Sequence, residues 1–377
     1  EPTPDSAPVE DGAAASLVAL AALPQLARAG NGAAAGKAPR PLRILILGGT
    51  GFLGPQQVEY ALARGHEVTL FNRGKSAPGL YGDRVEVLLG DRDTKVGAGL
   101  SALEGTRRWD AVIDNSGYVP RHVRDSIELL KDRVGRYVYV STVAVYDPAG
   151  GPVFDERSKL RAAPMPDTEI VSGETYGALK AECDRIVQAA LGARATIVRP
   201  TYIFGPGDDT DRFTYWVDRV ARGGTVLAPP GLGIELQWVD VRDLCPWIVA
   251  LAERDQPGIY NAAGPTKPVT WGTVLQALTA LSSQPVAFKP ATAEALAKAG
   301  IALPLVRTAN LKGGGSVRFD GSAAQSAGLA YRPLADTAAA TLAWWREQPE
   351  ARRAKAEGWP TPAQETQALA LLQEPST

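Results

Sequence analysis

The sequence predicts a doubly wound α/β fold, a largely parallel sheet with helices on both faces, followed by a smaller, loop-rich C-terminal lobe that holds substrate. Three observations predict it. Leu42-Arg43-Ile44-Leu45-Ile46-Leu47 is a nearly continuous apolar run of strand length, the pattern of a parallel strand buried on both faces. A glycine-rich turn follows it at once and opens onto a helical stretch. Short apolar strands then alternate with helical segments over the next 150 or so residues, which calls for right-handed crossovers in one sheet.

The elements follow in order. Residues 55–64 read as a helix that stops at Gly65, and residues 66–71 as a second strand rich in β-formers. Residues 85–89, 111–113, 137–141 and 195–198 continue the series of strands. In such a sheet, ligands bind beyond the carboxyl ends of the strands, so functional residues are expected just after them. Past Pro200 the punctuation changes to Gly205-Pro206-Gly207, Gly223-Gly224, Pro229-Pro230-Gly231 and Gly264-Pro265, marking the lobe. Residues 239–251 and Tyr260-Asn261 read as a helix and strand that return to the main sheet, while 271–281 and 292–300 read as lobe helices. The organisation is therefore a tail (1–40), a dinucleotide-binding domain (41–200), a mixed region with the substrate lobe (201–346) and a C-terminal helical extension (347–377).

Bulk properties narrow the function. With 40 basic and 41 acidic residues, the formal charge of −1 offers no field for gathering nucleic acid or an anionic membrane. A small-molecule substrate is expected, and neither nucleic acid nor membrane as partner. Two cysteines, Cys183 and Cys245, and two histidines, with no metal-ligand spacing, predict no disulfide framework and no catalytic metal. The Ala/Pro/Gly-rich tail contains an apolar run at residues 13–23 and then Ala27-Arg28-Ala29, the small-x-small form of a signal-peptidase site. Its basic leader is missing. Two readings stay open: a truncated export signal, implying the periplasm, or an Ala-rich linker of a cytoplasmic protein.

The turn Gly48-Gly49-Thr50-Gly51-Phe52-Leu53-Gly54 sits between strand and helix, the order a Rossmann dinucleotide site requires. Glycines let the backbone turn sharply and approach a pyrophosphate, whose charge meets free amides and the positive helix end. Gly48, Thr50, Gly51, Phe52, Leu53 and Gly54 are the expected contacts. A ribose-reading acid is usual about twenty residues on, but the second strand ends at Asn72, followed by Arg73 and Lys75. A guanidinium there pairs with a 2′-phosphate, favouring NADP, with NAD as the alternative. Asp91 after the third strand is placed to take the adenine amino group, with Arg92 beside it, or else simply forms a turn. Asn115, Ser116 and Gly117 follow the fourth strand and join the cofactor-binding set.

Tyr176 and Lys180 stand four residues apart in Glu174-Thr175-Tyr176-Gly177-Ala178-Leu179-Lys180, hence on one face of a helix. A phenol with an ordinary pKa near ~10 is a poor base at neutral pH, and an adjacent ammonium stabilises its phenolate. The residue pair fits a proton-transferring tyrosine with a lysine that also holds the nicotinamide ribose. Ser141 and Thr142 emerge where the fifth strand ends, and Thr142 is placed to steady a substrate oxygen against Tyr176.

Together these residues resemble the extended branch of the short-chain dehydrogenase/reductase superfamily, the NAD-dependent epimerase/dehydratase family, from about Leu42 to Trp345. Arg199-Pro200 with Gly205-Pro206-Gly207, the segment Val239-Asp240-Val241-Arg242-Asp243-Leu244, and Tyr260-Asn261 extend the match. The resemblance implies that Thr142, Tyr176 and Lys180 are catalytic, that Arg199 belongs to the cofactor end, and that the protein is a homodimer. It implies hydride transfer at a carbinol or ketone carbon, by a reductase or an epimerase; a cofactor- or RNA-binding scaffold of the same fold is the alternative. Dehydratases of the family carry Asp-Glu after the catalytic Thr, where this chain has Val143-Ala144, which argues against water loss. Nucleotide-sugar epimerases carry an Asn and an Arg at the positions of Tyr202 and Leu236. A smaller or uncharged polyol, sugar or ketone is therefore expected, with Tyr202 beside it.

Overall fold

The computed structural model describes residues 36–162, 168–306, 315–356 and 358–372. The apolar run and signal-like triplet of residues 13–29 lie outside the described residues. The chain divides into two compact units.

The first unit takes in the chain up to Thr201 together with Val241–Ala263 and Phe319–Ala330. Its elements are β1 (Arg43–Leu47), α1 (Gly54–Arg64), β2 (Glu67–Asn72), β3 (Glu86–Leu89), β4 (Trp109–Asp114), α2 (Pro120–Leu130), β5 (Val134–Val140), α3 (Tyr176–Leu191), β6 (Ala195–Pro200), α4 (Val241–Arg254) and β7 (Gly258–Ala262). The strands form one seven-stranded sheet in the order β3-β2-β1-β4-β5-β6-β7, and every neighbouring pair is parallel. This is the doubly wound Rossmann architecture that the sequence predicts.

The order reverses at β1. Leu47 at its carboxyl end lies opposite both Phe71 of β2 and Asp114 of β4, so the chain leaves in opposite directions on either side and opens the crevice where such sheets bind ligands. Ile44, Leu45, Ile46 and Leu47 are wholly buried, the price of a central position being a strand with no polar face. Gly65, in the left-handed region at φ 91°, ends α1 where its sequence position demands. At the far edge, β3 behaves differently from the other apolar runs, since Val87 and Leu89 are 43% and 61% exposed. An edge strand has only one neighbour to cover it.

The second unit comprises Tyr202–Asp240, Gly264–Arg318 and Tyr331–Thr377. Two short parallel pairs, Tyr202–Phe204 with Trp238–Asp240 and Gly224–Ala228 with Val286–Pro290, frame it. Its core is aromatic: Phe204 stacks on Phe213 at 4.0 Å, and Trp216, Trp238 and Trp271 are buried around them. The helix Pro362–Leu371, opened by a Thr361/Gln364 capping box, belongs to this unit. Its Glu365 receives the Arg219 guanidinium at 2.7 Å and the Leu227 amide at 3.1 Å.

Asp208 in this unit is 2% exposed, and its Oδ1 accepts from the amide and hydroxyl of Thr210. Burial pushes its carboxyl up from 3.8 to about 6. A carboxyl raised on folding holds its proton more tightly in the native state, so stability falls as pH climbs from about 4 through 6. Asp208→Asn keeps the acceptor without the charge. The variant is expected to be more stable by about 3 kcal/mol at pH 8 and nearly unchanged at pH 4; equal melting-temperature shifts at both pH values would contradict this.

Candidate active site

The turn after β1 is built around its glycines, each for a separate reason. Gly48 sits at φ 85°, a conformation that side chains disfavour. A Cβ on Gly54 would lie 2.2 Å from the Gly49 backbone carbon, so only glycine lets α1 start this close to the strand end. A Cβ on Gly51 would meet nothing within 4 Å. Close packing therefore explains Gly54 but not Gly51, whose open side is what a phosphate group would fill. Thr50, Phe52 and Leu53 are half-buried around it, and no side chain caps α1, whose first turn carries Pro55. Tyr81, missed in the sequence, pins the turn by donating its hydroxyl to the Gly49 carbonyl at 2.8 Å.

Beyond β2, Asn72 Oδ1 accepts from the Gly74 amide at 2.8 Å, folding the loop so that Arg73 and Lys75 are exposed at the carboxyl edge. Asp91 closes a turn onto the Asp93 amide at 2.9 Å with one oxygen. Arg92 turns inward instead of toward the edge: its guanidinium grips both oxygens of the fully buried Asp114 at 2.6 and 3.1 Å and reaches Ser116 Oγ at 3.1 Å. Burial opposes the charge on Asp114, yet Arg92, with the Tyr137 hydroxyl at 2.7 Å, holds that carboxyl below its ordinary range. Asn115 exchanges two hydrogen bonds with Gln57 of α1, at 2.6 and 3.0 Å, which ties the β4 edge to the glycine turn.

Tyr176 is the first residue of α3 and Lys180 lies one turn on. Lys180 is buried, and its ammonium donates to the carbonyls of Gly117, after β4, and Val140, the last residue of β5, both at 2.8 Å. It also lies 4.2 Å from the Tyr139 ring centre and 5.2 Å from that of Tyr118. Burial lowers its pKa, partly offset by Cys183, Asp114 and Asp184, while Arg92 adds to the lowering. The Gly117 carbonyl accepts from the Tyr139 hydroxyl as well, at 2.5 Å.

Lys180 thus draws α3 onto the ends of β4 and β5, where Ser141 and Thr142 follow. Gly177 completes the approach, because a Cβ there would stand 2.4 Å from the Ala144 carbonyl. Thr142 accepts from the Ala144 amide at 3.2 Å, which leaves its hydroxyl proton to donate elsewhere. Tyr176 is half-buried with its ring 6.3 Å from that of Tyr118. Tyr118 carried no signal of its own in the sequence beyond following Gly117.

Arg199 is turned into the protein: 2% exposed, it bonds Asp184 at 2.9 Å and the Tyr146 hydroxyl at 2.9 Å. Asp184, four residues after Lys180 on α3, is its ion-pair partner, a spacing the sequence offered but gave no reason to read. Tyr202 belongs to the second unit, on the strand Tyr202–Phe204.

A family model described as "NAD dependent epimerase/dehydratase family" matches residues 44–263. Among curated proteins, the chain is 29% identical over 239 residues to the chloroplast stem-loop binding protein of 41 kDa b of Arabidopsis thaliana, covering 59% of this chain and 58% of that protein. It is 33% identical over 183 residues to 2-alkyl-3-oxoalkanoate reductase of Stenotrophomonas maltophilia (strain K279a), covering 44% of this chain and 52% of the relative. Among solved structures, the Bordetella bronchiseptica enzyme WbmG in complex with NAD and UDP superposes with a TM-score of 0.60 at 17% identity, over 82% of this chain and 95% of that one.

Proposed function

The chain belongs to the NAD dependent epimerase/dehydratase family, and from that premise we propose that it is a nicotinamide-dependent reductase or epimerase acting at a carbinol or ketone carbon of a small, polar or sugar-like substrate, with Tyr176 as general acid and base. The observation that carries this reading is Lys180, a buried ammonium fastened to the ends of two central strands one helical turn from Tyr176. A charge costs free energy to bury, and here its place beside a phenol gives that cost a use.

The glycine turn fits a dinucleotide, because the open side of Gly51 and the uncapped start of α1 leave room and amide donors for a pyrophosphate. When bound, the nicotinamide supplies or takes the hydride. This chain's residues do the rest: Thr142 donates to the substrate oxygen, Tyr176 moves the proton at its hydroxyl, and Lys180 favours the phenolate by its charge. Arg73 and Lys75, exposed after β2, support NADP over NAD through a guanidinium fork on a 2′-phosphate. Ser141 borders the substrate and Asp91 the adenine. The reductase resemblance supports net reduction, and the formal chain charge of −1 supports a small-molecule substrate.

Fluorescence titration with NADPH and NADH, followed by nicotinamide absorbance in the presence of 3-oxo esters and free ketoses, tests the reading. Binding of neither dinucleotide would overturn it; cofactor consumption would exclude simple epimerisation. Gly51→Ala is expected to keep the melting temperature within a degree or so while weakening dinucleotide binding about tenfold or more, since the new methyl enters space only a ligand would need. A similarity to a stem-loop binding protein favours an RNA-binding scaffold as second reading. Salt-sensitive RNA binding that survives Tyr176→Phe, with no dinucleotide bound, would select it.

A further inference from the structure

At the opposite end of the main sheet, the amino ends of four adjacent strands, β1, β4, β5 and β6, surround a cavity of about 470 Å3. That volume is within the ~300–1,000 Å3 of small-molecule sites. Each strand brings arginine to it: Arg43 opens β1, Arg108 precedes β4, Arg133 and Arg136 flank the start of β5, and Arg194 precedes β6, with Arg40 on the rim. We propose that this cavity is a second binding site, for a small anion carrying two or more linked phosphates.

The arginines are held ready. Arg133 donates to Leu129 O at 2.9 Å and Arg194 to Lys131 O at 2.5 Å, at the carboxyl end of α2; Arg136 donates to Ala252 O at 2.7 Å, near the end of α4. These bonds fix the guanidinium planes and use only some of five N–H groups on each. A planar fork already immobilised loses little entropy when it meets phosphate oxygens.

Opposing charges do not cancel the site. Asp110 takes Arg43 at 3.3 Å and Arg40 at 3.8 Å, and Asp255 takes Arg136 at 2.8 Å. Six arginines therefore line the cavity against two carboxylate residues, and the two helix carboxyl ends subtract only about half a charge each. The cavity remains positive by about three charges in a chain whose formal charge is −1. Its concavity suits a compact ligand, and the seven residues of β5 set it roughly 20 Å from the carboxyl edge of the sheet. The dinucleotide site and this one are thus separate.

Isothermal titration of the full chain with sodium tripolyphosphate, in the presence of saturating NADPH, tests the proposal. One equivalent is expected to bind, and Arg40→Glu combined with Arg108→Glu, both exposed in the native protein, to weaken it by about tenfold or more. Lys95→Glu, exposed in the loop after β3 at the other end of the sheet, is expected to leave it unchanged. Should the charge-reversed pair unfold, Arg40→Gln with Arg108→Gln reads the same loss at about threefold. Binding indifferent to both pairs, sulfate bound as tightly as tripolyphosphate, or a short single-stranded RNA bound through these arginines while tripolyphosphate is not, would each overturn it. If NADPH itself does not bind, the loss in the Arg40/Arg108 variants still reads this cavity, so the two assignments fail separately.

Discussion

Tyr176→Phe is expected to lower turnover by about 100- to 10,000-fold while leaving dinucleotide affinity within about twofold. The ring contact with Tyr118 needs no hydroxyl, and Lys180 keeps both carbonyl acceptors, so phenylalanine removes the proton carrier and leaves these contacts in place. The loss should appear in kcat more than in KM, because proton transfer belongs to the transition state rather than to ground-state binding. Pre-steady-state mixing with NADPH and a responsive ketone, read by nicotinamide absorbance, measures it. A Tyr176→Phe protein with unchanged turnover would remove the phenol from the chemistry and with it the proposed mechanism.

Arg92→Met is expected to be the most damaging single change to stability outside the sheet core, at about 3–5 kcal/mol. It strips a fully buried carboxylate of its guanidinium partner, while the Tyr137 hydroxyl still donates to Asp114. The pH dependence discriminates this from simple loss of packing. In the native protein the Asp114 carboxyl is lowered, so its contribution is present at neutral pH and is lost as pH falls through the acid range. Without Arg92, burial is expected to outweigh the Tyr137 hydrogen bond and the Lys180 charge and to raise it, and the sign reverses: the variant should gain stability relative to wild type as pH drops from 8 to 5. Adding Asp114→Asn should recover part of the deficit at pH 8. Urea unfolding at both pH values checks it, and a deficit that does not change with pH would rule out an uncompensated charge.

Much of the fold was legible because it rests on local pattern. The run at residues 42–47 reads as a doubly buried strand, the glycines followed it, and each later strand announced itself by a short, mostly apolar run between helical stretches. Tyr176 and Lys180 could be placed on one helix face from spacing alone. What spacing could not give is direction. Arg92 and Arg199 follow or end strands, as edge-facing ligand contacts do, yet each turns inward to a carboxylate 22 or 15 residues away in sequence. Those pairings depend on which strands become neighbours, information a single stretch does not contain. The exposure of Val87 and Leu89 on β3 has the same origin: only the strand order reveals that this apolar run ends the sheet.

The interleaving of the two units in the chain bears on how the protein is made. The first unit is not complete until residues 319–330 have been synthesised, and the second waits for the helix Pro362–Leu371, which carries Glu365. A nascent chain must therefore hold the seven-stranded sheet, complete with β7 at Ala262, without residues 319–330 while the stretch between them is made. Its exposure to misassembly is longest over that interval, and chaperone dependence should be concentrated there.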